Sequence, residues 1–431
     1  MGLSVRINQL SSQLSADANM TERLYYQDSF LYEFDARVMD VVAASPAEPR
    51  PALVFDRTAF YPTSGGQVFD TGRIRAGNSG EEVPVVEVAE REDGAILHFL
   101  AGPAPFSSGA QVHGTIDVQL RRDHMQQHSG QHVLSAAFVR LYAMPTLSFH
   151  MGDDYCSIDL EAKALSAQQL EAAERLANEV VLEDRAVDIR FVSLEEARQL
   201  GLRKLPMLEK DELRLIDIRE FDLTACGGTH VRSTGQIGCI LLRKTERVRQ
   251  GIRVEFVCGQ RAVRTARHDY TVLSESASLY SAHIWGLPEQ IRKAQEEAKS
   301  ARRAQEQLLE ELAEQHAARL LSQTPATAGR KVVLQLFTDR GLGFIKLLAQ
   351  KITRLDPAAV ALLGSAMGQP ALVFAQASGQ PFDMGALMKN VLATLGGRGG
   401  GSKDMAQGGP QRVEGIEDAL KGLASGLQSS S

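Results

Sequence analysis

Two pairs of side chains with metal-binding chemistry share the same spacing. His128 and His132 are four residues apart in DHMQQHSGQHVLSAAF, and Cys226 and His230 are four apart in TACGGTHVRSTG. The first segment has helical periodicity, and residues four apart on a helix project from one face. Histidine nitrogens with a cysteine sulfur form a ligand set that suits zinc. The pattern therefore predicts one tetrahedral zinc site built from both pairs.

Each pair alone is weak evidence for a metal. Two histidines four apart on a helix are often unrelated, and a single cysteine is often only a buried thiol. The two pairs together, in a chain with ten histidines, favour one shared site. The zinc-protease motif HExxH is disfavoured, because Ser129, Gly130 and Gln131 stand between the histidines and supply no glutamate.

A third cluster, AFYPTSGGQVFDTG at 59–72, combines aromatic, hydroxyl and glycine residues between two predicted strands. An ordinary hairpin loop has this composition too. If this loop binds a ligand, Thr63 and Ser64 would hydrogen-bond a small polar substrate, while Gly65 and Gly66 would let the backbone of the loop approach that substrate. The residues alone leave both interpretations open.

The composition is that of a folded protein of several domains. The 431 residues include 44% hydrophobic and 23% charged residues, which is close to the average for globular proteins. There is no run of 18 apolar residues and no signal-peptide pattern, and only four cysteines occur. We therefore expect reduced thiols and a cytoplasmic protein. The net charge of −6 means that any nucleic-acid contact needs a local basic patch.

The periodicity predicts a multidomain α+β fold in which several elements position the predicted ligands. Short alternating runs broken by glycine and proline predict a small β-barrel, and mixed helices and strands follow it as an α+β block with an antiparallel sheet. The predicted parts are an N-terminal extension (1–19), a barrel-like domain (20–118), a zinc-containing domain (119–265), a helical linker (266–325) and a C-terminal α/β domain (326–431).

The linker and the tail carry two further patterns. Residues 288–322 lack glycine and internal proline and are rich in Ala, Glu, Gln, Arg and Leu, which predicts one long helix, paired as a hairpin or coiled coil with 266–284. The glycine-rich run at 396–409 predicts a loop whose amides, with Arg398 and Lys403, suit a phosphate or ribose. Glycine-rich loops are common, so the residues by themselves indicate only a flexible connector.

Basic residues are concentrated at 243–253. On strands they would form a cationic face for phosphates, although a strand edge protected by charge has the same pattern. The five residues are Arg243, Lys244, Arg247, Arg249 and Arg253. Four polar residues stand just before the predicted ligand helix. They would either contact the terminal nucleotides of a tRNA or lie on the protein surface without a ligand. They are Arg121, Arg122, Asp123 and His124.

These motifs together resemble a known family. HxxxH, CGGTHV and the loop FYPTSGGQxxDTG resemble the editing domain of alanyl-tRNA synthetases and above all the free-standing alanyl-tRNA editing proteins. The segment 243–262, the long helix and GGRGGGSKDMAQGG resemble the long form of that family, so the resemblance covers about 21–431. The editing domain of threonyl-tRNA synthetase is similar around the paired motifs, but it lacks the FYPTSGGQ loop and this tail.

The resemblance implies a zinc-dependent aminoacyl-tRNA deacylase. The substrate would be alanine tRNA mischarged with serine, or with glycine, and zinc would position the aminoacyl group or activate a water. An aminoacylation core is not expected, and the aspartate motifs of DHH phosphoesterases are not found. Threonine at position 63, where the synthetases usually carry an acidic residue, indicates the free-standing branch.

The resemblance also assigns roles to residues. His128, His132, Cys226 and His230 would hold zinc. The catalytic candidates are Thr63, Ser64, Gln67 and Thr229, and the substrate-binding candidates are Gly65, Gly66, Gly227 and Gly228. The tRNA-binding candidates are Arg243, Lys244, Arg249, Arg253, Arg398 and Lys403. A homodimer through the linker and C-terminal domain is a further expectation, and a zinc-stabilised RNA-binding protein without hydrolase activity is the alternative function.

Overall fold

The structure, a computed structural model, describes residues 20–46, 48–76, 81–203, 212–327 and 329–429. The chain divides into two compact units, with the boundary between Leu273 and Ser274. The architecture is multidomain α+β, which confirms the predicted fold class. The predicted N-terminal extension lies outside the described residues, and the other predicted domain limits stay predictions. Among the described helices, none has the length and hydrophobicity needed to cross a membrane.

The first unit begins with a closed six-stranded barrel in the order β2-β3-β7-β6-β5-β8. Its strands alternate between inward apolar and outward polar residues, as in β2, where Phe34, Ala36 and Val38 are buried in the barrel core. A short parallel pair, β1 with β4, lies outside this barrel. The strands are β1 (Glu22–Arg23), β2 (Glu33–Val42), β3 (Ala52–Phe55), β4 (Arg57–Thr58), β5 (Gly72–Ala76), β6 (Glu82–Glu90), β7 (Ile96–Leu100) and β8 (Gln111–Ile116).

The rest of the first unit packs helices on antiparallel strands, as predicted, but in two sheets rather than one. One sheet has the order β14-β15-β10-β9 and the other β11-β12-β13. The elements are α1 (Val118–Tyr142), β9 (Thr146–Met151), β10 (Cys156–Leu160), α2 (Ala167–Leu182), β11 (Val187–Ser193), α3 (Leu194–Gln199), β12 (Glu212–Ile218), β13 (Asp222–Ala225), β14 (Ile240–Val248), β15 (Gly251–Cys258) and α4 (Gly259–Ser278), which spans the boundary between the units.

Helix α1 lies inside the first unit. Asp117 caps it by accepting hydrogen bonds from the amides of Gln119 and Leu120 at 2.9 and 3.1 Å. Its C-terminal half packs Val133 and Phe138 into a core shared with α2 and with β10 and β15. The polar stretch that precedes this half is also buried, because most residues from His124 to Gln131 have little exposed surface. A buried polar helix segment needs partners for its side chains, and these partners define the site described below.

The second unit holds a mixed five-stranded sheet in the order β16-β17-β18-β20-β19, with β16 and β17 parallel and the other neighbours antiparallel. Strands and helices do not alternate strictly, because β17 leads directly into β18. The elements are α5 (Leu287–Gln323), β16 (Val332–Phe337), α6 (Leu342–Leu355), β17 (Val360–Ser365), β18 (Ala371–Gln376), α7 (Met384–Leu395), β19 (Gly397–Gly401), β20 (Met405–Pro410) and α8 (Ile416–Ser429).

The long helix α5 is confirmed; it buries Leu287 at its first residue and otherwise packs at its C-terminal end. Ala313, Ala317 and Leu320 join the core that α6 covers. From 288 to 312 the side chains are exposed or only partly buried. Because this stretch consists mostly of charged, Gln and Ala residues, it buries little apolar surface. Its exposure gives no support to the predicted coiled coil with 266–284.

The glycine-rich run at 396–409 forms a hairpin, so its prediction as a loop is wrong. β19 and β20 pair in register from Gly397 with Pro410 to Gly401 with Ala406. A Cβ added at Gly399 would come within 3.0 Å of Gly408 and of Leu392 on α7. The glycines are therefore needed where the helix packs closely on the hairpin.

Candidate active site

Four side chains from separate parts of the first unit converge on one point. His128 and His132 project from α1, while Cys226 and His230 come from the loop after β13, and their donor atoms all lie within 4.8 Å of one another. The Cys226 sulfur is 3.3 Å from His128 Nε2 and 3.4 Å from His230 Nε2. Ligands of a tetrahedral zinc ion would be separated by about 3.3 to 3.6 Å, given the usual Zn–N and Zn–S lengths. The spacing of the donors therefore fits a metal ion.

The imidazoles are held by contacts at their Nδ1 atoms. His128 Nδ1 lies 2.7 Å from Gln67 Oε1. Because that oxygen can only accept, Nδ1 donates this hydrogen bond, and Nε2 is the ring nitrogen that faces Cys226. His230 Nδ1 lies 3.1 Å from Ser129 Oγ, and His132 Nδ1 is 3.6 Å from a carboxylate oxygen of Asp222. Metal-binding histidines commonly use their second nitrogen in this way. The arrangement turns the Nε2 atoms of His128 and His230 toward Cys226.

The electrostatics favour a thiolate at Cys226 and a neutral ring at His230, but they favour a charged ring at His132. Burial raises the pKa of the Cys226 thiol, but the nearby His128 and His230 outweigh it and lower that pKa well below its ordinary value. Burial lowers the pKa of His230 well below its usual range, so this imidazole is neutral. Burial also acts to lower the pKa of His132, but Asp222 and Cys226 raise it. A thiolate beside neutral imidazoles is the state that binds zinc.

The two glycines between Cys226 and His230 differ in their surroundings. Gly228 is buried, and an added Cβ would come within 3.0 Å of the His128 ring. Its amide donates to the Cys226 sulfur at 3.4 Å. Gly227 is exposed, and an added Cβ would meet only Tyr26, at 3.4 Å or more. Gly228 is thus required by close packing against a ligand, while Gly227 lies on the open side of the loop.

The loop at 59–72 reaches the metal-binding residues through Gln67. This buried side chain donates to Thr229 Oγ1 at 2.9 Å, and its oxygen accepts the Thr229 amide at 3.1 Å as well as His128. Gln67 and Thr229 therefore hold a ligand in place. Thr63 and Ser64, by contrast, are exposed, which leaves their side chains accessible to a substrate.

The turn beside these residues contains the other two predicted substrate-binding glycines. Gly65 and Gly66 have φ of +59° and +87°, which glycine adopts without strain. A Cβ at Gly66 would also come within 3.0 Å of Phe149, whose ring centroid is 5.3 Å from that of His128. Glycine is therefore needed for both conformation and space at Gly66.

Two of the four residues named before the ligands are enclosed and cannot contact a nucleotide. Arg121 is fully buried and pairs with Asp70, with one Nε–Oδ1 distance of 3.0 Å. Asp70 also accepts the Tyr61 amide at 2.7 Å, so this pair anchors the 59–72 loop. His124 is buried beside Asp70. The expected contact with terminal nucleotides is therefore wrong for Arg121 and His124, because both side chains are enclosed.

Three residues of the site were not predicted from the sequence. Asp222 carried a usable signal, because it precedes Cys226 by the same four residues that separate Cys226 from His230. Ser129 carried none. Arg214 is 7% exposed, and it donates to the carbonyl oxygens of Tyr26 at 2.8 Å and Cys226 at 2.6 Å. It thereby ties the metal-binding loop to the segment before the barrel.

The predicted tRNA-binding residues lie in different environments. In the first unit, Arg243 pairs with Asp269, Lys244 with Glu246 at 3.3 Å, and Arg253 with Asp159 at 2.8 Å. Arg249 is exposed at the turn between β14 and β15, and no ion pair is seen for it among the described residues. In the second unit, Arg398 lies in β19 and Lys403 in the following turn, and both are exposed.

Three family models match parts of the chain. The model described as threonyl and alanyl tRNA synthetase second additional domain matches residues 213–254, which include Cys226 and His230. The model for class II (A) tRNA synthetases matches 4–120, and the DHHA1 domain matches 342–428. These matches cover the barrel, the loop that carries Cys226 and His230, and every strand of the second unit's sheet except β16.

Two curated relatives extend over nearly the whole chain. Alanine–tRNA ligase of Pyrococcus abyssi is 32% identical over 95% of this chain, which spans 44% of that enzyme. Alanyl-tRNA editing protein AlaX-L of Pyrococcus horikoshii is 33% identical over 95% of this chain and 100% of its own length. A solved structure, the C-Ala domain of Aquifex aeolicus alanyl-tRNA synthetase, covers 25% of this chain and 98% of its own, with 20% identity and a TM-score of 0.23, which is too low to support an argument. The chain belongs to the alanyl-tRNA editing protein family.

Proposed function

We propose that this protein is a trans-editing hydrolase that removes serine, and secondarily glycine, from mischarged tRNA(Ala). The bond cleaved is the ester between the amino acid and the terminal adenosine. The observation that carries the proposal is the convergence of His128, His132, Cys226 and His230 within 4.8 Å, in a chain of a family whose named relative edits alanyl-tRNA. We propose zinc as the ion because its usual ligands and distances match this set.

The need for such an activity follows from the size of the amino acids. A pocket that accepts the methyl group of alanine gains only on the order of 10²-fold discrimination against an analogue with one more hydroxyl. Glycine, which lacks the methyl group, differs by a similarly small binding energy. Hydrolysis at a second site supplies the missing selectivity.

Zinc, when bound, supplies positive charge that can position the ester carbonyl or lower the pKa of a water. The chain's own residues do the rest. Gln67 and Thr229 hold the His128 ring, while the exposed hydroxyls of Thr63 and Ser64 are the groups that we assign to recognition of the serine side chain. Gly227 leaves space at the exposed edge of the metal-binding loop.

Asp222 orients a ligand rather than taking a proton from the substrate. Its carboxylate accepts from Arg203 at 2.7 Å and faces His132 at 3.6 Å, and its side chain is only 2% exposed. A hydroxyl of the tRNA ribose is a better placed candidate for the proton transfer, because it lies next to the ester that is cleaved. The expected partner is therefore tRNA itself.

Location and assembly belong to the same proposal. A mischarged tRNA is made where proteins are synthesised, which favours the cytoplasm. The exposed stretch 288–312 of α5 offers a surface for a homodimer, together with the C-terminal domain.

The direct test is hydrolysis of tRNA(Ala) charged with serine, glycine or alanine. We expect serine release at least about tenfold faster than alanine release, with glycine between them; tenfold corresponds to about 1.4 kcal/mol in the barrier. Equal rates for serine and alanine would contradict an editing function. Serine release from tRNA(Thr) with no release from tRNA(Ala) would instead favour editing of the threonyl type.

One observation favours a second candidate, a zinc-stabilised RNA-binding protein. Four protein ligands are present, and zinc sites closed in this way are usually structural. The two functions differ in the effect of Cys226→Ala. A structural ion predicts that this variant unfolds, whereas an active-site ion predicts lost hydrolysis with a native circular dichroism spectrum.

A further inference from the structure

A groove in the first unit is formed by two adjoining cavities of about 750 and 670 Å³. They share a wall made of Ala143, Pro145 and Glu161. The larger cavity follows the turn between β14 and β15, and the smaller one reaches Asp222, which faces the metal-binding His132 at 3.6 Å. The groove therefore extends from the strand turn to the rear of the candidate active site.

Four cations line this groove without a carboxylate partner among the described residues. Lys163, Arg247 and Arg249 line the larger cavity, and Arg140 lines the smaller one. Arg140 donates to the main-chain oxygens of Glu220 and Phe221, both at 2.7 Å, which fixes its position but leaves its charge unbalanced. The groove thus presents a set of fixed or accessible positive charges.

The acidic groups that face the groove do not cancel this charge. Asp222 is paired with Arg203 through two hydrogen bonds of 2.7 and 3.0 Å. Glu161 lies on the shared wall, and the described residues show no ion pair for it. Among the residues that the structure describes, one free carboxylate therefore opposes four cations.

The turn that carries Arg247 and Arg249 packs closely against the end of β10. A Cβ added at Gly251, where β15 begins, would come within 3.0 Å of the Leu160 carbonyl. Leu160 also pairs with Ile252 at the end of β10. This close packing brings the turn against the segment that leads to Lys163, so cations from two segments line one cavity.

The other basic residues of the β14–β15 hairpin differ from these groove cations, because they have carboxylate partners. Arg243, Lys244 and Arg253 are each paired with a carboxylate. Arg243 also lines a different cavity, together with the acidic residues Asp153, Asp154, Glu255 and Asp269. Arg261 and Arg264 line this cavity too, but Arg243 and Arg261 are each paired with a carboxylate. Four acidic residues therefore face three arginines, which disfavours a phosphate there.

We propose that the groove lined by Lys163, Arg247, Arg249 and Arg140 binds the phosphate backbone of tRNA. This inference rests on the proposed function and assigns the contact surface of its substrate. Contacts of lysine and arginine with phosphates supply sequence-independent affinity that falls as salt rises. The groove therefore holds the body of the tRNA, while the 3′ end is read at the metal-binding residues.

The test compares two triple variants that lose the same charge. Lys163→Gln/Arg247→Gln/Arg249→Gln removes three groove cations. Arg73→Gln/Arg91→Gln/Arg190→Gln is the matched control, because these solvent-accessible side chains do not line the groove and each pairs with a nearby carboxylate. The dissociation constant of each for uncharged tRNA(Ala) transcript is measured at several salt concentrations. Circular dichroism confirms that both are folded.

We expect the groove variant to raise the dissociation constant at least about tenfold at low salt and to reduce the salt slope by roughly two to three, one phosphate contact per removed cation. The control variant should change the dissociation constant less than about threefold, since exposed ion pairs contribute little to the stability of the fold. A second tRNA should be affected by the same factor, because the contacts are to the backbone.

Two results would overturn the inference. One is a groove variant that binds tRNA(Ala) with the affinity and salt slope of the unmodified protein. The other is a larger loss from Arg243→Gln/Lys244→Gln/Arg253→Gln, which would place the contact at the paired cations. Because binding is measured with uncharged tRNA, it is independent of hydrolysis: failure of the unmodified protein to deacylate would sink the proposed function and leave the groove assignment standing.

Discussion

At the scale of single residues, the site depends on what holds the ligands as much as on the ligands. Spacing alone predicted that His128, His132, Cys226 and His230 meet in one cluster, because helical geometry and a short glycine loop each bring a pair together. Their supports could not be predicted in this way. Gln67 and Ser129 contact histidines that are 61 and 101 positions away in the sequence, so only the folded barrel and loop create these contacts.

Gly228 and Gly227 provide a matched test of the ligand packing. Gly228→Ala should lower zinc affinity roughly 10- to 100-fold, the usual cost of disturbing a group behind a ligand, because the new Cβ meets the His128 ring. Gly227→Ala should change it less than about threefold, because its Cβ meets only Tyr26 at an ordinary distance. Competition with a chromophoric chelator measures both constants. Equal losses in the two variants would refute the packing argument.

At the scale of elements, buried histidine in the barrel predicts a pH dependence. His98 is fully buried, with Nε2 2.8 Å from Thr58 Oγ1 and Nδ1 3.0 Å from the Leu53 carbonyl. Burial lowers its pKa to about 4. Since the pKa in the unfolded chain is about 6.5, the neutral ring favours folding. This contribution is complete above pH 6.5 and is lost as the pH falls toward 4, by about 3 kcal/mol in total.

The ring of His98 can be followed directly by NMR of histidine-labelled protein. We expect its signals to show no protonation until about pH 4, well below the pKa of about 6.5 that histidine has in an unfolded chain. The free energy of unfolding in urea should also fall from pH 7 to pH 5, and His98→Asn should reduce this dependence. Titration of His98 at about pH 6.5 would contradict the prediction.

The hairpin of the second unit gives another prediction at this scale. Gly399→Ala should destabilise the protein by about 1 to 3 kcal/mol, the usual cost of overpacking, because the Cβ would collide with Gly408 and Leu392. Gly400→Ala is the control, since no atom lies within 4 Å of its added Cβ. Thermal unfolding followed by circular dichroism compares the two. Equal melting temperatures would show that the hairpin tolerates the side chain.

At the scale of the whole molecule, the sequence predicted the fold class but not every pairing. The barrel and the long helix have strong local periodicity, and both are present. The run at 396–409 was misread because glycine usually signals a turn, whereas here it makes room for α7 against β19 and β20. The two separate antiparallel sheets were not predicted, because register between distant strands such as β10 and β15 leaves no local pattern.

The central claim is that one metal site, formed by both residue pairs, performs the hydrolysis. The most direct measurement determines zinc content and serine release from Ser-tRNA(Ala) in the same preparations of the unmodified protein and of Cys226→Ala, with circular dichroism as the control for folding. We predict one zinc per chain and serine release for the unmodified protein, and loss of hydrolysis with a native spectrum for the variant. Full hydrolysis by the Cys226→Ala variant, or by unmodified protein that contains no metal, would contradict the account.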